Sequence, residues 1–211
     1  MPSATMPPTT PEAPVNPALF TPIDLRALHL PNRIIVSPMG MYSATPSGHP
    51  TPFHLMHIGH LAFRGAALTI MEATAVHPFG RSSPADLGLW SDDHIASFKK
   101  VTDFVHEQEG ERKIGIQLAH AGRKAGMMPI YPGKKTWIAT EEEGGWEEQV
   151  VGASRVRYLE NYVEPREMTG EDVRIVVKAF GDAADRAVKA GFGKLYPHSY
   201  PHKCRGGVLT T

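Results

Sequence analysis

Residues 33–42 read RIIVSPMGMY, and this stretch decides the fold class. Ile34, Ile35 and Val36 form an unbroken apolar run, the mark of a strand buried in a sheet. Ser37-Pro38 ends it, because proline has no amide hydrogen to give to a ladder. A thioether (Met39), a small residue (Gly40) and a phenol (Tyr42) then stand at the strand's exit. In parallel α/β folds, strand exits are where ligands bind.

Working outward, residues 45–50 (TPSGHP) are turn chemistry, and Thr51-Pro52 is a helix start with threonine as cap and proline in the first turn. That helix carries Leu55, Ile58, Leu61 and Ala62 and stops at Gly65. Residues 67–76 (ALTIMEATAV) predict a second buried strand. Ser91-Asp92-Asp93 caps a second helix with Ile95, Phe98, Val101, Thr102 and Val105 on one face, stopped by Gly110. Residues 113–122 (KIGIQLAHAG) predict a third strand. An irregular stretch over roughly 125–168, with Trp137, Trp146 and the solvated patch EEEGGWEE, has the length of a functional cover. Thr169-Gly-Glu-Asp172 resembles a capping box. Its helix carries Val173, Val176, Val177, Phe180, Ala183, Ala184 and Ala187 and ends at Gly191, where a fourth strand is due.

Upstream, residues 19–30 (LFTPIDLRALHL) have short apolar clusters that suit a small hairpin or lid at the foot of the first strand. Residues 1–18 hold six prolines and too little apolar surface to offset ordering entropy, which predicts a disordered arm. The alternation of strand and helix means right-handed βαβ units and a parallel sheet, either doubly wound or a (β/α)8 barrel. No G-x-G-x-x-G follows the first strand and no G-x-x-x-x-G-K-[ST] occurs, so the common phosphate loops, and with them a Rossmann-like nucleotide domain, are unsupported.

Composition bounds the function. The chain has 211 residues, 41% hydrophobic and 21% charged, which fits an ordinary globular domain. Lysine plus arginine balances aspartate plus glutamate at 22 each, so nothing favours nucleic acid or another polyanion. The lone Cys204 excludes an internal disulfide framework. No apolar run reaches the roughly 18 residues of a membrane span, no secretory signal pattern opens the chain, and a cytoplasmic location is the default expectation. His54, His57 and His60 stand three apart but lack a nearby carboxylate or cysteine, so they read as packing or surface histidines and no metal is assigned.

The polar groups collect at three predicted strand exits: residues 37–42, 72–75 and 117–123. Here SPMGMYS, EATAV, GRSSPADLGLWSDDHI and IGIQLAHAGRKA closely resemble the thermophilic-like branch of the Old Yellow Enzymes, FMN-dependent ene-reductases on a TIM barrel. The likeness runs from about Leu19 to Phe192. It implies that Ser37, Pro38, Met39 and Gly40 line the flavin ring and that Ala73 packs by its pyrimidine side. It implies also that Gln117 hydrogen bonds the ring's carbonyl and nitrogen, which an amide can do as donor and acceptor together. Tyr42 would project into the substrate pocket. The implied activity is NADPH- or NADH-dependent reduction of FMN, then hydride transfer to an activated, enone-type alkene. Read without the resemblance, Gln117 is a structural amide in need of a buried partner. His120 and Arg123 fit a barrel-rim salt bridge as well as a ligand contact.

Two departures qualify the resemblance. The branch commonly has a cysteine where Gly40 stands, and its thiol tunes the flavin. The family then continues into a strand with H-x-x-H-x-Y, whereas residues 193–211 read GKLYPHSYPHKCRGGVLTT. His198 falls near the first histidine's place, His202 is one residue late, and no tyrosine follows. Pro197 and Pro201 make this segment a poor central strand. No catalytic residue is therefore assigned. A barrel needs about 250 residues, so the reading is a barrel cut to roughly its first half. It has a divergent tail over 193–211, explained by a retained intron, a frameshift or a short isoform. Its open edges predict association with a second copy or another chain.

Overall fold

A computed structural model describes residues 16–130 and 136–199, the last strand as backbone only. The expected hairpin is present: β1 (Ile23–Leu25) pairs antiparallel with β2 (Leu28–Leu30). Its side chains Ile23, Leu28 and Leu30 close over Ala67, Leu68 and Ile70 at the foot of the main sheet. The predicted arm lies almost wholly outside the described residues, and Ala18 already opens a short 3-10 turn.

The main sheet is parallel throughout. β3 (Ile35–Val36), β4 (Leu68–Ala75), β6 (Lys113–His120) and β9 (Lys194–Ser199) lie side by side in chain order, and the two-residue β5 (Leu87–Gly88) joins the end of β4. Doubly wound sheets reverse their strand order at a switch point, whereas a barrel adds each strand beside the last. The unreversed order therefore decides for the barrel. β3 is shorter and more open than its apolar run predicts, with Ile35 44% exposed. The reason is position: β3 pairs with β4 alone, and no strand covers its other edge among the described residues. The fourth strand forms despite Pro197, which the sequence counted against it. Among the described residues β9 pairs with β6 alone, and a strand paired on one side tolerates a residue without an amide hydrogen.

Three helices cover the outer face of the sheet. α1 (Pro52–Phe63) begins at Thr51, whose amide donates to His54 Nδ1 at 3.0 Å, and ends before Gly65 at φ 102°. α2 (Ile95–His106) buries Phe98, Val101, Thr102 and Val105, the face its spacing predicts. α3 (Gly170–Lys189) starts on the expected capping box: Thr169 Oγ1 accepts from the Asp172 amide at 3.1 Å, and Asp172 Oδ2 accepts from the Thr169 amide at 2.7 Å. Arg166 and then Thr169 hold the Asp172 carboxyl well below the usual carboxylate range. Ile114, Ile116 and Leu118 of β6 form one core with Phe98 of α2 and with Ala183 and Ala187 of α3. The first half of α3 departs from its predicted face, because nothing described covers Val173 and Val177, which stay exposed.

Residues 125–168 hold only fragments of regular structure among those described. These are a bridge between Met127 and Ile138, a 3-10 turn at Glu147–Gln149, and the parallel pair β7 (Val151–Gly152) with β8 (Arg166–Glu167). The acidic residues Glu141 and Glu142 are exposed, as a solvated patch should be. Trp146 is not: its ring is buried with Ala121, Ala125, Val150 and Val163, and its Nε1 donates to the Phe79 carbonyl at 3.1 Å. The turn beside it needs glycine, since a Cβ on Gly145 would lie 1.9 Å from the Ala139 carbonyl oxygen. Gly145→Ala is expected to cost about 1–3 kcal/mol by forced displacement of backbone, read as a lower denaturation midpoint. An unchanged midpoint would contradict this packing.

Candidate active site

The first exit is the loop after β3. Ser37, Met39 and Gly40 are exposed and Pro38 is half-buried. A Cβ added to Gly40 meets nothing within 4 Å, so the backbone here is open to a flat ligand and has room for a side chain. The loop is nonetheless held residue by residue. The Met41 amide donates to Glu72 Oε2 at 3.2 Å, and Ser43 Oγ donates to the Met41 carbonyl at 2.9 Å. Thr51 Oγ1 donates to the Ser43 carbonyl at 3.0 Å, and the Ala44 amide to the Ala85 carbonyl at 3.0 Å. Tyr42 sits inside this frame at φ 51°, a left-handed conformation that a non-glycine residue keeps only when its surroundings impose it.

The second and third exits meet by register. Ala73 on β4 lies directly opposite Gln117 on β6, after an irregularity between Met71 and Ala73 that resets the alternation. Gln117 is opposite Tyr196 on its other side, and His198 of β9 is opposite Ala119. His202 lies outside the described residues. On β6, Ile114, Ile116 and Leu118 face the helices, which leaves Gly115, Gln117 and Ala119 on the inner face. The Gln117 amide is half-buried and makes no hydrogen bond to the described residues.

Beyond Gln117 the walls become cationic and aromatic. His120 is buried, accepts from the Gly122 amide at Nδ1 (3.1 Å) and lies against Gly80, where an added Cβ would come within 2.6 Å of the ring. Burial, with His77 second, lowers its pKa to about 4, so the ring is neutral near pH 7. The two imidazole centroids are 6.2 Å apart. Arg123 donates to the Val156 carbonyl at 3.2 Å, and its guanidinium lies 5.7 Å from the Tyr158 ring centroid. Neither residue makes a salt bridge among the described residues: His120 is a packed neutral ring, and Arg123 is tied to the Val156 carbonyl.

Several residues of consequence carried no clear signal in the sequence. Arg81 is almost fully buried, with its guanidinium 5.2 Å from the Trp90 ring centroid and 4.6 Å from that of Trp146. It donates to three carbonyls, of Pro78 (3.1 Å), Pro46 (2.9 Å) and Pro84 (3.0 Å). Asp86, nearby, accepts from the Ser82 and Ser83 amides and from Ser83 Oγ. Its motif, GRSSPAD, supplied the family likeness without showing what it does. The three spaced histidines go separate ways: His54 is buried near Glu72, His57 stacks on Phe53, and His60 is exposed. A different set comes together, His49 stacked on His94 at 4.4 Å with Asp93 beside both. Both ring nitrogens of His94 already face carbonyls, Ser91 at 3.1 Å and Ser47 at 3.0 Å.

Parallel strands in chain order with helices on the outside make this about half of a TIM barrel. The chain belongs to the NADH:flavin oxidoreductase / NADH oxidase family, which matches residues 18–200. It is similar to an NADPH dehydrogenase of Bacillus subtilis, 43% identical over 182 residues, or 86% of this chain and 48% of that one. An NADH:flavin oxidoreductase of Gibberella zeae is 40% identical over 182 residues, 86% of this chain and 43% of that one. Among solved structures, morphinone reductase superposes with a TM-score of 0.67 at 28% identity, over 87% of this chain and 48% of that one. The old yellow enzyme from Trypanosoma cruzi gives 0.68 at 27% identity, over 86% and 51%. The family expected from the motifs is the family found, and the chain spans about half the length of the relatives it matches. No helix among the described residues is long and apolar enough to cross a membrane.

Proposed function

We propose that this segment supplies the ring-facing side of an FMN site in an NAD(P)H-dependent oxidoreductase that reduces enone-type alkenes. The observation that carries the reading is Gln117: a donor–acceptor amide, unbonded to the described residues and set directly opposite Ala73 on the neighbouring strand. FMN, when bound, supplies the hydride chemistry. Gln117 would orient the ring through its pyrimidine edge, with Ala73 leaving space beside it. Ser37, Pro38, Met39 and Gly40 would form one wall, and Tyr42 would stand over the ring toward the substrate. Gly40 leaves open the volume that a tuning thiol fills in relatives of this branch.

For the chain on its own we propose flavin binding without turnover. No residue is assigned to polarise the alkene's carbonyl or to donate the final proton, and both tasks belong to the H-x-x-H-x-Y strand of the family. A second reading is favoured by exposed apolar side chains on the outer helices. Met56 and Phe63 on α1 and Val173 and Val177 on α3 suit a chain that associates with a second copy or another chain. Sedimentation of the chain with FMN, followed by NADPH oxidation with and without an enone, tests both readings. Enone-dependent oxidation by the chain alone would overturn the first, and a strict monomer would overturn the second.

A further inference from the structure

We propose that Glu72, itself oriented by His54, is the positioning residue for the loop of residues 39–42. The inference rests on the flavin reading only for what the loop faces; the positioning stands on the geometry. His54 and Glu72 are 1% and 4% exposed, and neither has a role in the site as read so far. His54 Nδ1 accepts from the Thr51 amide at 3.0 Å, which places the ring hydrogen on Nε2. That Nε2 is fully buried, has no hydrogen-bond partner among the described residues, and faces Glu72 Oε1 at 3.7 Å. The other oxygen of the same carboxyl group, Oε2, accepts from the Met41 amide at 3.2 Å.

The result is a chain of contacts from the first turn of α1 to the backbone beside Tyr42: Thr51, His54, Glu72, Met41. The loop's own bonds hold Met41 and Ser43 on the outer side, through the Ser43 and Thr51 hydroxyls. Glu72 is the inner anchor, and it holds the residue next to the one left-handed position in this loop. Only a carboxylate suits the place, because the group must present an acceptor on both sides. A glutamine of the same shape would turn its NH2 group either toward the Met41 amide or toward the His54 Nε2–H, a donor against a donor. A histidine whose tautomer is set by a helix cap thus stands against the carboxyl group that anchors the loop. The relay makes α1, a scaffold element, part of the ligand site.

The test measures amide exchange at Met41 in the flavin-free chain, and FMN affinity by quenching of flavin fluorescence. Glu72→Gln is the main variant because it preserves volume; Glu72→Ala and His54→Leu are companions. Glu72→Gln is expected to speed Met41 exchange by about tenfold, the loss of one buried hydrogen bond. Exchange in β4 and in the body of α1 is expected to stay unchanged. FMN affinity is expected to fall by a similar factor. His54→Gln, which keeps an acceptor and a donor, is expected to recover most of what His54→Leu loses. Unchanged Met41 exchange in Glu72→Gln overturns the proposal, as does a uniform rise through α1 and β4, which marks a merely structural pair. If the unsubstituted chain binds no FMN, the flavin reading fails by itself, and the exchange measurements still decide the positioning.

Discussion

Arg81→Ala is expected to destabilise the fold by about 3 kcal/mol or more, because it leaves three carbonyls without a donor. The substitution strips donors from the carbonyls of Pro46, Pro78 and Pro84 and removes the cation between Trp90 and Trp146. It also removes the positive charge that offsets Asp86, whose carboxyl burial already pushes up, partly against the pull of its Ser83 and Ser82 bonds. The pH dependence follows from that direction. A raised folded pKa means the folded chain keeps the Asp86 proton longer than the unfolded one. Stability from this group is therefore fullest below the ordinary value of 3.8 and falls as pH rises toward the raised value. Without Arg81 that rise is larger, so the deficit is expected to be greater at pH 7 than in mild acid. Arg81→Lys is expected to recover only part of the loss, because an ammonium cannot match the three-way fork. Urea midpoints at two pH values check all of this. A loss under about 1 kcal/mol, the scale of an ordinary surface change, would contradict it.

The second large effect is acid sensitivity at His120. Its folded pKa, about 4, lies below the ordinary 6.5, with burial the main cause and His77 the lesser one. The unfolded chain therefore takes up the proton first as pH falls. Stability is full above pH 6.5 and is lost progressively down to about pH 4, by roughly 3 kcal/mol over the interval at 1.36 kcal/mol per unit. His120→Asn keeps an acceptor for the Gly122 amide and removes the titration. The difference in stability between parent and variant is expected to narrow steadily as pH drops from 6.5 to 4.5. A difference that stays flat across that window would mean His120 is solvated in the folded chain.

Much of the fold was legible because it is local. Thr51-Pro52, Thr169 with Asp172, and the stops at Gly65, Gly110 and Gly191 mark helix ends through caps and left-handed turns, which need no tertiary partner. β4 and β6 were readable as continuous apolar runs. The openness of β3 was not, because a strand's burial depends on what lies across its edge, and RIIV reads the same with or without a neighbour. Pro197 reads as a fault in a central strand, and β9 forms with one partner among the described residues, where the missing amide hydrogen costs little.

The site was legible through family likeness more than through chemistry. Gln117 was named for its residue type inside an apolar strand, and its lack of a partner among the described residues is new information from three dimensions. Glu72 read only as one polar residue in an exit, and His54 as one of three spaced histidines. That the two face each other depends on the first turn of α1 landing above β4, which no spacing in the chain announces.

The most direct test of the account is a fluorescence titration of FMN with the chain and with Gln117→Ala. The account predicts saturable quenching by the chain, affinity lowered about tenfold by Gln117→Ala through loss of the paired amide bonds, and an unaltered thermal midpoint in that variant. Saturable binding that ignores Gln117→Ala, or no saturable binding at all, would contradict the placement of the flavin ring at these strand exits.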